Sequence, residues 1–421
     1  MAVKICDAIM GAGKSQSAIA YMNEHPRKKF MYITPYLDEV KRIKDACPAL
    51  SFVAPKREEE EDGDGWSKMN HIRRLVSEGR NVSTTHAAFR MYTADILESI
   101  RQHGYTLIID EAVQIMSNMK IEAEAVDILC KAGYIQIHEN GRIEVIEDGV
   151  TCKAFKELFH AAKSNNLVRI TEDSDRIKND VMYYSELPVE FITSFSDVFV
   201  LTYLFAGSEM KCYFDMNGVP YEYIGVIKDD SGYHFAPTNE YAPEYCKRLS
   251  SLIHILDNPK LNSIGARDTA LSLNWYRNAS KEHKERIKKN IYNYFRHLTE
   301  DVSEKSIMWT TFKEHRAKIQ GKGYTKAFVS CSARATNQYR DRNVLAYGCN
   351  RFFNPFVKRY FGGEKYCSDD AFALSSMVQW IWRSAIRDGK EIYIYVPSSR
   401  MRMLLKDWIE RVENGRPGWE E

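Results

Sequence analysis

The chain has 421 residues with 59 Lys and Arg against 57 Asp and Glu, a formal net charge of +2. That length suggests more than one domain, and 44% hydrophobic content is enough for ordinary soluble cores. No run approaches the ~18 unbroken apolar residues of a membrane span. The nine cysteines include no C-x-x-C pair, which argues against a zinc site or disulfide framework and fits a reducing compartment. The first strand begins almost at Met1, so a cytoplasmic protein without a leader peptide is expected.

The first element is "VKIC", short, apolar and β-prone. It runs into "DAIMGAGKSQSAIAYM", where glycines precede a segment with helical spacing. A glycine turn between strand and helix is the setting of a phosphate-binding loop, because successive N–H groups and the helix N-terminus face the anion. Ala8 stands where G-x-x-x-x-G-K-[ST] has its first glycine, a small residue that the loop entry tolerates. Gly11, Ala12, Gly13, Lys14, Ser15 and Gln16 are therefore the expected ATP-binding residues. Lys14 would reach the β/γ-phosphates and Ser15 would hold Mg²⁺.

"KFMYITP" (29–35) is a second strand, followed by helical "YLDEVKRIKDA". "EEEEDGDG" (58–65) reads as a solvated loop. "NVSTTHAAF" (81–89) reads as a strand entering a helix, which Thr84 or Thr85 could cap. "YTLIIDEAV" (105–113) is a buried strand ending in paired carboxylates. There Asp110 would hold Mg²⁺ and Glu111 would orient or deprotonate water. "DVFVLTYLFAG" (197–207) is a further apolar strand. The βα alternation predicts a mostly parallel sheet.

From 208 to 305 the texture changes to β-prone alternation and then a basic helix at 281–298, whose face is either solvated or lines a strand-binding groove through Lys288, Lys289 and Arg296. After 306, "SIMWTT", "KAFVSCSA" and "KEIYIYVPS" read as strands. "FALSSMVQWIWRSAIRDG" and "SRMRMLLKDWIERV" read as helices. Gln379, Arg383 and Arg387, at i, i+4 and i+8, would share one helix face and could present arginines to phosphate across a domain interface.

The ordered set "MGAGKS", "YITPYLDEVKRI", "NVSTTHAAF", "LIIDEAV", "VLTYLFAGS", "FVSCSARATNQY" and "QWIWRSAIR" resembles the motifs of superfamily 2 helicases, in the manner of DEAD-like DNA helicases carried by bacteriophages. The resemblance covers roughly 1–207 and 306–421. It implies an α/β protein with two RecA-like parallel-sheet lobes and an additional α+β segment between the two motif blocks. The expected division is an ATP-binding lobe at 1–207, an intervening segment at 208–305 that is part of or inserted in the second lobe, and a C-terminal lobe at 306–421.

By the same resemblance Thr34, Pro35, Thr84, Thr85, His86, Arg334, Thr336 and Asn337 would contact nucleic acid, with Ser330 nearby. Thr202 and Ser208 would couple hydrolysis to motion. Lys14, Glu111, Gln379, Arg383 and Arg387 would be catalytic. Three departures stand out. The final arginines are four apart rather than three, "LTYLFAG" replaces the usual S-A-T, and no glutamine segment reads adenine upstream. The implied activity is Mg²⁺- and ATP-dependent translocation on single-stranded or forked DNA in phage replication or recombination, alongside phage or host replication proteins. The motifs themselves do not separate DNA from RNA. A DNA-packaging ATPase shares the phosphate loop and the Asp-Glu strand, and an ATP-gated clamp or annealing factor can share all of these motifs.

Overall fold

The structure is a computed structural model that describes residues 2–56, 68–147, 155–164, 166–171, 181–299, 302–331 and 337–419. The acidic run 58–65 lies outside the described residues. The strands in chain order are β1 (Val3–Asp7), β2 (Phe30–Thr34), β3 (Val82–Thr85), β4 (Thr106–Asp110), β5 (Met116–Met119), β6 (Ile135–Ile137), β7 (Arg142–Val145) and β8 (Asn166–Thr171). They continue with β9 (Val181–Glu186), β10 (Asp197–Thr202), β11 (Tyr221–Asp229), β12 (Gly232–Ala236), β13 (Ile253–Ile255), β14 (Ile307–Thr310), β15 (Val344–Tyr347) and β16 (Ile392–Tyr395).

Burial on both faces explains why β1, β2, β4 and β10 read as nearly unbroken apolar runs. They form the centre of a seven-stranded sheet of order β12-β11-β1-β10-β4-β2-β3, parallel except for the edge strand β12. A second sheet, β13-β16-β15-β14, is wholly parallel. These two parallel sheets, each wrapped by helices, are the two lobes expected from the motifs.

Two features depart from the sequence reading. Residues 116–186 do not continue the parallel pattern. They contain an antiparallel sheet, β5-β9-β8-β7-β6, set into the chain between β4 and β10. It has its own small core around Val126, Leu129, Ile143, Leu158 and Leu167. The span 208–305, read as one intervening segment, is shared between the lobes. Its β11 and β12 finish the first sheet, while β13 is an edge of the second. The basic helix Lys281–His297 buries Ile287, Ile291, Tyr294 and Phe295 and leaves Lys289 and Arg296 exposed, an arrangement common to both readings of its charged face.

The lobes meet through chain as well as packing. Phe353, Val357, Phe361 and Cys367, all beyond β15, lie in the apolar core of the first lobe. In return Tyr203, just past β10, donates from its hydroxyl to the Pro417 carbonyl at 2.5 Å and accepts from Trp408 Nε1 at 2.6 Å.

Candidate nucleotide site

The site is built at the carboxyl ends of β1, β4 and β10, where open α/β sheets place their ligands. β1 ends at Asp7, and the loop after it turns through Gly11 (φ 86°) and Gly13 (φ 99°) into the helix Lys14–Glu24. Both angles lie in the left-handed region that favours glycine. Gly13 is the N-cap and brings no side chain to the cap, so the first-turn N–H groups are left for an outside acceptor. The loop is held from behind by Thr202 and by three residues that the motifs did not single out. Ala8 N–H donates to the Thr202 carbonyl at 3.1 Å, and Ile9 N–H donates to the Tyr241 hydroxyl at 3.0 Å. Asn239 Nδ2 donates to the Asp7 carbonyl at 2.7 Å. The Tyr233 ring packs over Gly13, where an added Cβ would meet it at 2.1 Å.

Lys14 Nζ donates to the carbonyls of Ala8 at 2.5 Å and Ile9 at 3.2 Å, inside the mouth of its own loop. Burial pulls its pKa down, opposed by Cys6, Asp7, Asp110 and Glu111. A phosphate would restore the charge compensation that burial removes.

Opposite the loop, Ser15 Oγ lies 3.4 Å from Asp110 Oδ1, and Thr34 Oγ1 lies 3.4 Å from Asp110 Oδ2. Both are at the long end of hydrogen-bonding range. Burial raises the Asp110 carboxyl to about 6, reinforced by Glu39 and opposed by Lys14 and Arg42. A carboxyl raised by burial and loosely bonded to a hydroxyl is an oxygen donor set that a hard divalent cation fits. Glu111 follows with φ 64°, one of four non-glycine residues at positive φ among those described. Leu204, across the same cleft, is another. Backbone strain of this kind costs ~1–3 kcal/mol and concentrates at functional sites.

Arg383 comes from the second lobe. It is 7% exposed, and its Nε and Nη1 have no hydrogen-bond partner among the described residues. Burial lowers its pKa. Glu111, Tyr36, Tyr347 and Cys331 oppose that shift, so the guanidinium already lies within the field of the first lobe's carboxylate. A buried cation with orphaned donors in the field of Glu111 fits an anionic ligand.

The remaining expected residues divide. Gln379 lies on the helix Asp369–Ile381 and donates to Ser375 Oγ at 3.1 Å. That helix ends before Arg383. The chain then passes through an extended Ser384 (ψ −169°) into the short turn Ala385–Asp388. Arg387 is consequently not on the face of Gln379 and Arg383. It is exposed beside Asp388, which corrects the shared-face reading. The spacing suggested one helix because Trp382 to Ile386 is apolar enough to continue it, but the Ser384 backbone breaks the period. Among the described residues of "KAFVSCSA", Phe328 makes an isolated bridge to Trp309 and no strand forms.

Thr34, Thr84 and His86 are buried, and two of them bond inside the lobe. Thr34 reaches Asp110, and His86 Nε2 donates to the Asp110 carbonyl at 2.9 Å. Thr85 caps the helix His86–Phe89 through Ala88 N–H, and Pro35 is half-buried at the end of β2. Ser208 caps the helix Glu209–Met216 through Lys211 N–H. Thr202 pairs in register with Asp7. Arg334 and Thr336 lie outside the described residues, and Asn337 opens the turn Asn337–Tyr339. Ser330 lies just before the undescribed segment.

Asp7 was missed. Its half-buried carboxylate accepts from Leu204 N–H at 2.7 Å and Phe205 N–H at 2.9 Å. It thereby ties the end of β1 to the strained turn after β10. An acidic residue closing an apolar strand just before a glycine loop was the available signal.

A family described as the YonV C-terminal Rossmann-like domain matches residues 247–409. The SPbeta prophage-derived uncharacterized protein YonV of Bacillus subtilis (strain 168) is 40% identical over 417 residues, covering 97% of this chain and 98% of that protein. The chain belongs to the YonV family. Its fold is similar to that of Xpd4 from S. tokodaii, with a TM-score of 0.50 at 12% identity over 96% of this chain and 94% of that one. An apo XPD chain aligns over 96% and 95% of the two chains, with a TM-score of 0.48 and 10% identity. No helix among the described residues of this YonV-family chain is long and apolar enough to cross a membrane.

Proposed function

We propose that this protein is an ATP-dependent nucleic-acid helicase or translocase of superfamily 2, acting on single-stranded or forked DNA. The observation that carries the reading is the convergence of Lys14, Ser15, Asp110 and Glu111 from one lobe with the buried Arg383 of the other, whose Nε and Nη1 have no hydrogen-bond partner among the described residues. Bound ATP supplies the phosphoanhydride bond whose hydrolysis drives the cycle. The chain's own groups have separate tasks. Lys14 and the first-turn N–H groups bind phosphate. Ser15 and Asp110 are the residues that would hold Mg²⁺. Glu111 accepts a proton from water, and Arg383 offsets negative charge that accumulates at the lobe boundary.

The coupling route runs from Asp7 through Leu204 and Phe205 to the Tyr203–Trp408 contact, which supports a cycle in which the lobes move against each other. The choice of DNA and of a phage replication or recombination role rests on the prophage origin of the YonV relative. The deciding experiment measures ATP turnover with and without single-stranded DNA or RNA, then strand displacement on tailed duplexes. Stimulated turnover and displacement are expected, and both should vanish in Glu111→Gln while ATP binding persists. Absence of nucleic-acid stimulation sinks the motor reading. Stimulated turnover without displacement would favour a clamp or annealing factor.

A further inference from the structure

The carboxyl end of the second sheet carries a pair of cysteines that nucleotide chemistry does not use. β14 and β15 are paired, with Thr310 opposite Tyr347. Cys349 follows β15, and Cys331 follows the Phe328 bridge beside Trp309, so both thiols emerge at the same end of the sheet. The Cys349 thiol is within hydrogen-bonding reach of Cys331 Sγ. Arg351 Nη1 donates to that same sulfur at 3.1 Å. The arginine is held in place, with its guanidinium 5.1 Å from the Phe372 ring centre and its carbonyl accepting from Arg400 Nη1 at 2.8 Å. Cys331 is 8% exposed and Cys349 is fully buried, so a small solute meets Cys331 first.

We propose that Cys331 is a reactive thiolate held by Arg351, a site for small electrophiles and peroxides, with Cys349 as its resolving thiol. The titratable and charged groups around it are Cys349, Arg351, Tyr347 and Arg383. The Cys349 hydrogen bond and then the Arg351 guanidinium bring Cys331 down to about 6 against the effect of burial. Burial, and then Cys331 itself, push Cys349 up, so it stays protonated. One sulfur is the nucleophile and the other keeps its proton, the division that thiol oxidation requires.

The chemistry balances. The Cys331 thiolate attacks one peroxide oxygen, the O–O bond breaks, and hydroxide leaves as sulfenic acid forms. The Cys349 sulfur then attacks the sulfenic sulfur, losing its proton and releasing water. Two thiols are oxidised and one hydrogen peroxide is reduced to two waters.

Cys212 and Cys367 are an internal control. They too lie within hydrogen-bonding reach of each other, but Cys212 donates to the Ser208 carbonyl at 3.5 Å, whereas Cys331 accepts from the Arg351 guanidinium.

The test is competitive alkylation of the full chain with iodoacetamide across pH 5–9, read by peptide mass spectrometry. Cys331 should react first, at least ~10-fold faster at pH 7 than any other cysteine, with a midpoint well below that of an ordinary thiol at ~8.5. Arg351→Ala should move the midpoint up and slow the reaction at pH 7 by ~10-fold. If that variant does not fold, Arg351→Lys and the wild-type pH profile carry the same test. Dilute hydrogen peroxide should link the Cys331 and Cys349 peptides, and Cys349→Ala should leave a dimedone-trappable sulfenic acid on Cys331. An ordinary midpoint, a profile unaffected by Arg351, or first oxidation at Cys212–Cys367 overturns the proposal. None of these readouts depends on ATP turnover, so they stand or fall apart from the helicase reading.

Discussion

A methyl group placed on Gly207 would stand 2.3 Å from the carbonyl oxygen of Ala371. Gly207 closes the turn Phe205–Gly207 of the first lobe, and Ala371 lies in the first turn of the helix Asp369–Ile381 of the second. Backbone meets backbone here, so neither side can yield by changing a rotamer. Gly207→Ala should force this contact apart, with a cost of ~1–3 kcal/mol as for an overpacked core. Nucleic-acid-stimulated turnover should fall more than nucleotide affinity, which turnover assays and nucleotide titration would resolve. A variant with unchanged melting and turnover would show that the contact is slack.

Lys14→Ala removes the ammonium that now rests on the Ala8 and Ile9 carbonyls. ATP turnover should fall at least ~100-fold, equivalent to ~2.7 kcal/mol of barrier. Folding should be little affected, because the lysine's bonds are to its own loop. Wild-type turnover in this variant would reduce the loop to a turn.

Arg383 and Arg387 should behave differently. Arg383→Met keeps the stem's packing and removes a buried cation with two nitrogens that have no partner among the described residues. Its melting temperature should hold or rise, while stimulated turnover drops by up to ~10³. Arg387→Ala alters an exposed side chain beside Asp388 and should leave turnover within ~2-fold, since exposed substitutions are usually near-neutral. Equal loss in both variants would restore the shared-face arrangement that the break at Ser384 argues against.

Glu186 supplies a pH test of the inserted sheet. Its carboxylate is 5% exposed, accepts from Asn166 Nδ2 at 3.1 Å and leaves Oε1 without a bond among the described residues. Burial raises its pKa above the ordinary 4.5. The folded state therefore binds this proton more tightly than the unfolded chain does. Glu186's stabilising contribution is fully present below 4.5 and is lost as pH rises through the raised folded value. Glu186→Gln should raise thermal stability at pH 8, by ~1 kcal/mol, and leave it unchanged near pH 4. A pH-independent difference would mean that the carboxylate reaches water.

The elements of the candidate nucleotide site were legible because their chemistry is local. Gly11, Gly13, Lys14 and Ser15 are adjacent, and Asp110 and Glu111 end an apolar run whose burial dictates its composition. What could not be read depends on distant partners. Asp7 matters through Leu204, and Tyr241 through Ile9. The inserted antiparallel sheet was hidden because strands such as "IQI" and "RIEV" are short and half-exposed, with too few apolar positions to set a period. Arg383 was found by motif, but the bend that separates it from Arg387 is a backbone event that side-chain spacing does not record.

The segment from Phe353 to Cys367 follows β15, yet its apolar side chains are planted in the first lobe's core, and Arg359 reaches the Thr171 carbonyl of the inserted sheet at 3.4 Å. Sequence order and mechanical allegiance therefore part company. If the cleft opens, this segment is freight of the first lobe, and the joints that must flex are its two ends, near Asn350 and near Ser368. A cut made at the sequence boundary between the motif blocks would leave the second piece carrying a bare apolar hook and the first piece a matching hole. Neither half is a free-standing part of this fold, because each carries apolar surface that the other covers.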